Sequence, residues 1–127
     1  MNRVLLAGGL LGFLSVVIGA MSEHVFRTRV DDEVFRWVMT AIRYHQVGSL
    51  IIAALGLTLL ADVTRTLRAR LALSGWLFVA GTLLFSFSIY ASALTGVEAL
   101  TFVTPVGGVT LMAAWLVLAW AALGARR

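Results

Sequence analysis

The sequence predicts an all-α membrane protein, a four transmembrane helix bundle with a short outer amphipathic helix between helices 1 and 2. Three observations predict it. Four apolar stretches, approximately residues 4–21, 44–61, 71–93 and 104–123, occupy most of the 127-residue chain, and runs of about 18 or more apolar residues match a hydrocarbon core of about 30 Å. Hydrophobic residues make up 61% of the chain and charged residues 13%, whereas a soluble domain is about a quarter charged. Almost all the charge also falls in the breaks between stretches. Four spans and their connections account for the whole length, so a single integral membrane domain, 1–127, is expected.

The first stretch follows Arg3 and ends near Gly19 and Ala20. It has elements of a signal peptide, but it is longer than a usual signal core and Ile18 suits a cleavage site poorly, so an uncleaved span is expected. Gly8, Gly12, Ser15, Gly19 and Ser22 form one stripe along it. Lipid offers no hydrophobic drive for helix association, so small residues of this kind mark where backbones approach.

The break from Ser22 to Arg43 is the longest. Asp31, Asp32 and Glu33 read as a helix start, with acids at the positive end of the dipole. Val34, Trp37, Val38 and Ala41 then repeat at helical spacing, with Arg36, Thr40 and Arg43 opposite. This predicts an amphipathic helix lying on the outer surface before the second span, or continuous with it; a solvated charged loop is the competing reading.

The second span carries His45, Ser49, Ala53 and Gly56 at helical spacing. The third carries Gly81, Ser88 and Ser92 on one face, with Ser86 and Tyr90 on another. The fourth opens Thr104-Pro105-Val106-Gly107-Gly108, and proline fits a first helical turn. Close packing explains these residues without a substrate path.

The chain has ten arginines, no lysine, a net charge of +4 and a sequence pI near 11.1. The arginines flank apolar spans, so orientation in the membrane explains them and no nucleic-acid partner is expected. With four spans, both termini share a side with the middle break. That side holds Arg3, Arg65, Arg68, Arg70, Arg126 and Arg127 against Asp62; the other holds Arg27, Arg29, Arg36 and Arg43 against Glu23, Asp31, Asp32, Glu33 and Glu98. Positive-inside bias makes both termini cytoplasmic. Trp76 and Trp120 then fall near the inner edge, and Trp37, Tyr44, Tyr90 and Phe102 near the outer one, as interfacial aromatics should.

With no cysteine in the chain, disulfides and thiolate chemistry are excluded. Metal-ligand spacing and a nucleophile–base constellation are both lacking, so no enzyme activity, metal or cofactor is expected. The candidate polar cluster is Glu23, His24, Tyr44, His45 and Tyr90, expected at one depth near the outer edge together with Gln46. Ionisable groups there are costly and often functional. Polar groups satisfying one another is the leading reading. A proton- or cation-coupled transporter using Glu23 with the histidines is the main alternative. A haem held by His24 and His45 is a distant third, and quinone or lipid contact and docking on a larger complex complete the set.

The run GWLFVAGTLLFSFSIYASALTG, followed by TPVGG and AAW, resembles the bacterial membrane proteins grouped as domain of unknown function family 423, with mitochondrial transmembrane-protein-256-like relatives. That family's pattern is approximately G-W, a glycine, F-S-G-S-L-Y, T-P-I-G-G and G-W. Gly75, Trp76, Gly81, Phe85, Ser86, Ser88, Tyr90, Thr104, Pro105, Gly107, Gly108 and Trp115 match it. IGAMSEH resembles G-A-F-G-A-H at Gly19, Ala20 and His24. RYHQVGSL resembles R-Y-H-x-x-H-A-L at Arg43, Tyr44, His45 and Leu50. Three departures stand out: Gly48 replaces a second histidine, Glu23 a small residue and Phe87 a glycine. If the family's histidines form a functional pair, this chain has lost it, or has rebuilt it with His45 one turn away. The resemblance implies four membrane helices in an inner membrane and brings no activity. The expected role is structural or accessory, in the membrane, in a homo-oligomer or beside a larger membrane complex.

Overall fold

The computed structural model describes residues 1–124; Arg126 and Arg127, which entered the charge count, lie outside the described residues. Its helices are α1 (Arg3–Met21), α2 (Asp32–Thr58), α3 (Arg65–Thr82), α4 (Ser88–Thr95) and α5 (Thr104–Leu123). Four continuous helical stretches are long and apolar enough to cross a membrane: Arg3–Phe26, Asp32–Thr58, Arg65–Thr95 and Glu98–Leu123. The first ends in a π-helical turn, Ser22–Phe26. The third joins α3 to α4 through a second such turn, Leu83–Phe87, and the fourth begins with a 3-10 segment, Glu98–Val103.

Local chemistry sets the ends. The Asn2 side chain accepts from the Leu5 N–H at 3.0 Å and donates to the Gly56 carbonyl at 2.7 Å, so one residue caps α1 and ties it to α2. Asp31 accepts from the Val34 N–H at 2.9 Å, with Asp32 and Glu33 in the first turn of α2. At its far end the Arg68 guanidinium donates to the Leu59 and Ala61 carbonyls, at 2.6 and 3.0 Å. Gly96 closes α4 at φ 73°, a left-handed conformation that glycine adopts without steric cost. Pro105 sits in the first turn of α5.

The segment after Asp31 does not lie on the surface: it is the first part of α2, and the continuous alternative holds. Phe35, Val38, Ala41 and Ile42 are buried against Ile89 and Tyr90, while Arg36 and Arg43 face outward. The second span therefore starts twelve residues earlier than hydropathy placed it, at Asp32 rather than Tyr44.

α1 pairs with α2, α5 pairs with α3, and the two hairpins meet where α2 packs on α3. Backbones approach closely within the first pair: a Cβ at Gly8 would lie 2.5 Å from the Ala53 nitrogen, and one at Gly56 2.5 Å from the Leu5 Cα. The core has two parts. Toward the termini, Val4, Leu11, Ile52, Leu55, Phe78, Leu111 and Ala114 pack together. At the opposite end, Phe26, Phe35, Val38, Ile42, Ile89 and Tyr90 do so. Phe85 and Phe87, both from the second π-helical turn, pack on both parts. Outward faces are apolar, with Phe13, Leu50, Leu116 and Leu123 exposed to lipid.

Candidate functional site

The five candidate residues do not form one cluster. His45 and Tyr90 meet, with Nδ1 of His45 3.2 Å from the Tyr90 hydroxyl. Glu23 and His24 are exposed on the π-helical turn after α1. Tyr44 lies on the outer face of α2, edge-on to Phe85 at 5.1 Å, and Gln46 is also exposed. The reason is the early start of α2. His45 stands thirteen residues along it, about 20 Å by helix rise, whereas Glu23 and His24 lie beyond the last turn of α1.

His45 is fully buried, enclosed by the rings of Phe87 at 5.2 Å and Tyr90 at 5.9 Å and lying against the α1 backbone at Leu11. Its Nε2 makes no hydrogen bond of ordinary geometry, and neither does the equally buried Thr82 hydroxyl. Thr82 faces Gly48, whose Cβ would fall 2.5 Å from its Oγ1. The position without a side chain on α2 is thus filled by a hydroxyl from α3. Thr82 was not among the residues singled out from sequence; an isolated threonine in an apolar run carries no periodic signal.

Buried Ser15, Ser22 and Ser49 donate to carbonyls of their own helical stretches, at Gly12, Gly19 and His45, whereas three other buried serines cross between helices. Ser74 donates to the Ala114 carbonyl at 2.9 Å, joining α3 to α5. Ser86 donates to the Ala41 carbonyl at 2.7 Å, joining the second π-helical turn to α2. Ser88 pairs with Thr104 at 2.6 Å, joining α4 to α5. A Cβ on Gly107 would strike the Phe85 backbone, and one on Gly108 would rest 3.8 Å from the Phe85 ring. Gly19 is half-buried, facing Gln46 and Ile42 of α2; Pro105 is exposed. Ser86, Ser88, Thr104, Gly107 and Gly108 therefore surround one place, the π-helical turn at Phe85. A π-bulge inside an α-helix often marks a functional or strained position. Here it turns Ser86 and Phe85 toward two different neighbours.

At the end bearing the termini, Arg70 lies over the Trp120 ring, 4.0 Å from its centroid, and donates to the Trp120 carbonyl at 3.1 Å. No group of three or more metal-ligating side chains occurs among the described residues.

The family described as Protein of unknown function (DUF423) matches residues 18–108. A UPF0382 membrane protein of Haemophilus influenzae is 32% identical over 119 residues, covering 94% of this chain and 92% of that one. The UPF0382 membrane protein YwdK of Bacillus subtilis is 30% identical over 125 residues, covering 97% and 98%. The UPF0382 inner membrane protein YgdD of Escherichia coli (strain K12) is 30% identical over 124 residues, covering 98% and 92%. No solved structure matches the chain. With a family match across its centre and relatives aligned over nearly its full length, the chain belongs to the DUF423 family of membrane proteins of unknown function.

Proposed function

We propose that this protein is a non-catalytic structural or accessory component of the bacterial inner membrane, held beside a larger membrane complex, with both termini cytoplasmic. The observation that carries the reading is that three buried serines tie helices to one another. Ser74, Ser86 and Ser88 each bond to a neighbouring helix, which stabilises a fixed bundle. Glu23 and His24 stay outside it. The arginine distribution supports the orientation, and the description of the Escherichia coli relative as an inner membrane protein supports the compartment.

The test is extraction of the tagged, natively expressed protein in a mild detergent, followed by native gel separation. A discrete species well above the 13.7 kDa of one chain, with a second polypeptide in fixed stoichiometry, is expected. A free monomer alone would overturn the accessory reading.

Proton- or cation-coupled transport is the second reading, and His45 favours it, since a buried imidazole nitrogen without a partner is a candidate proton carrier. Proton-driven flux in proteoliposomes that disappears in His45→Gln would support transport; unchanged flux would sink that role for His45.

A further inference from the structure

Three recesses run into one another between the second and fourth spans, on the side of the bundle away from the termini. The outermost, about 370 Å³, has Arg29, Asp31, Glu33 and Glu98 in its lining. It shares Trp37, Ile89 and Thr101 with a middle recess of about 340 Å³, where Thr40 and Thr104 add hydroxyls. The middle recess shares Phe85 with a deeper one of about 310 Å³, lined also by Tyr44, Gly108, Leu111, Met112 and Trp115. Each is large enough for part of a small-molecule ligand.

The lining falls on helical stripes, so this is one groove. Trp37, Thr40 and Tyr44 stand three and four residues apart on α2. Thr101, Thr104, Gly108, Leu111 and Trp115 repeat at the same spacing along the fourth span, which puts each set on one face. Phe85 and Ile89 of the third span form the floor. The groove exists because α3 packs on both α2 and α5 and holds them apart, and because Gly108 carries no side chain to fill it.

Its chemistry changes with depth. Charges line the mouth. Below it come Thr40 and Thr101, whose hydroxyls donate to the Arg36 and Glu98 carbonyls, and Thr104, paired with Ser88, so that their remaining lone pairs can only accept from a ligand. Aromatic and aliphatic side chains line the bottom. From Thr104 to Trp115 is eleven residues, about 16 Å by helix rise, close to half of a hydrocarbon core of about 30 Å. A charged head, a polar waist and an apolar tail reaching the bilayer midplane describe a phospholipid in one leaflet. The mouth carries three carboxylates and one guanidinium. An ammonium group can donate to Asp31, Glu33 and Glu98, while Arg29 suits the phosphate. An anionic head group would add negative charge to three carboxylates, which is unfavourable.

We propose that this groove binds a single phosphatidylethanolamine in the leaflet opposite the termini, its ammonium group among Asp31, Glu33 and Glu98 and its acyl chain over Gly108. The site is independent of the accessory role and stands or falls separately from it. Native mass spectrometry of the purified full-length protein in detergent, titrated with phosphatidylethanolamine or phosphatidylglycerol of matched acyl chains, tests it. We expect phosphatidylethanolamine adducts to exceed phosphatidylglycerol adducts by about tenfold, equivalent to about 1.4 kcal/mol. Glu33→Gln combined with Glu98→Gln should abolish that preference, and Gly108→Leu should reduce adducts of both lipids. Leu57→Trp, on an exposed surface outside the groove, should change neither. Should Gly108→Leu fail to give a monodisperse helical protein, Met112→Trp, which covers the same recess from an exposed position, replaces it. Equal retention of both lipids by the wild type would overturn the proposal. So would adducts insensitive to the recess variants, or a dimer or second polypeptide that those variants release, since the groove would then hold a protein helix.

Discussion

A methyl group at position 107 would be driven into the Phe85 backbone, and backbone cannot rotate aside as a side chain can. Gly107→Ala is therefore expected to destabilise the protein by about 1–3 kcal/mol, the usual cost of overpacking. Unfolding in mixed micelles with increasing SDS would measure it. Gly9→Ala, where a Cβ meets nothing within 4 Å, is the matched control and should not destabilise. The pair His45 and Tyr90 makes a different kind of prediction. Tyr90→Phe removes the partner of Nδ1 while Nε2 already has none, leaving both ring nitrogens buried without a partner. A cost of about 1–3 kcal/mol follows. Adding His45→Phe removes the stranded polar group, so the double variant should be more stable than Tyr90→Phe alone in the same assay. Tyr90 and His45 could be picked out from sequence as polar residues in apolar surroundings, but their contact could not. It depends on the rotation of α2 against the third span, which composition does not encode.

At the scale of elements, the informative one is α2. Its polar residues Arg36 and Arg43 pulled the apparent start of the span inward, because average hydropathy sums all faces of a helix. Of the face read from the spacing, Val38 and Ala41 are buried, Val34 is half-buried and Trp37 is exposed; the acidic helix start was legible at Asp31. The spacing left open whether this face lies on the surface or continues without a break into the membrane helix. Because the chain contains no cysteine, single-cysteine variants report on this cleanly. Arg36→Cys should react with a water-soluble maleimide while Val38→Cys, with no exposed surface, stays unmodified until the protein is denatured. Equal labelling would mean that the segment stands off the bundle. The second π-helical turn was equally hidden. LLFSF contains no proline or glycine, and its geometry is tied to a bond that Ser86 makes 45 residues away, to Ala41. The serines and glycines around it were recognisable as packing residues only because small polar residues have few other uses between apolar helices.

For the molecule as a whole, the four spans and their order were evident from hydropathy, and the orientation rests on the arginines. In intact cells, Thr28→Cys should be labelled by a membrane-impermeant maleimide, and Asp62→Cys should be labelled only after lysis. The opposite pattern would invert the bundle and carry the charged mouth of the lateral groove to the cytoplasmic leaflet. The division into two hairpins has a consequence for how the chain is made. The glycine seam of α1 is covered by α2, and that of α5 by the third span. The first helical pair therefore completes its own backbone contacts while residues 65–123 are still being synthesised. The second pair then needs to recognise a finished surface, made by α2 with Val4 of α1 beside it, and membrane insertion becomes the docking of two prefabricated halves.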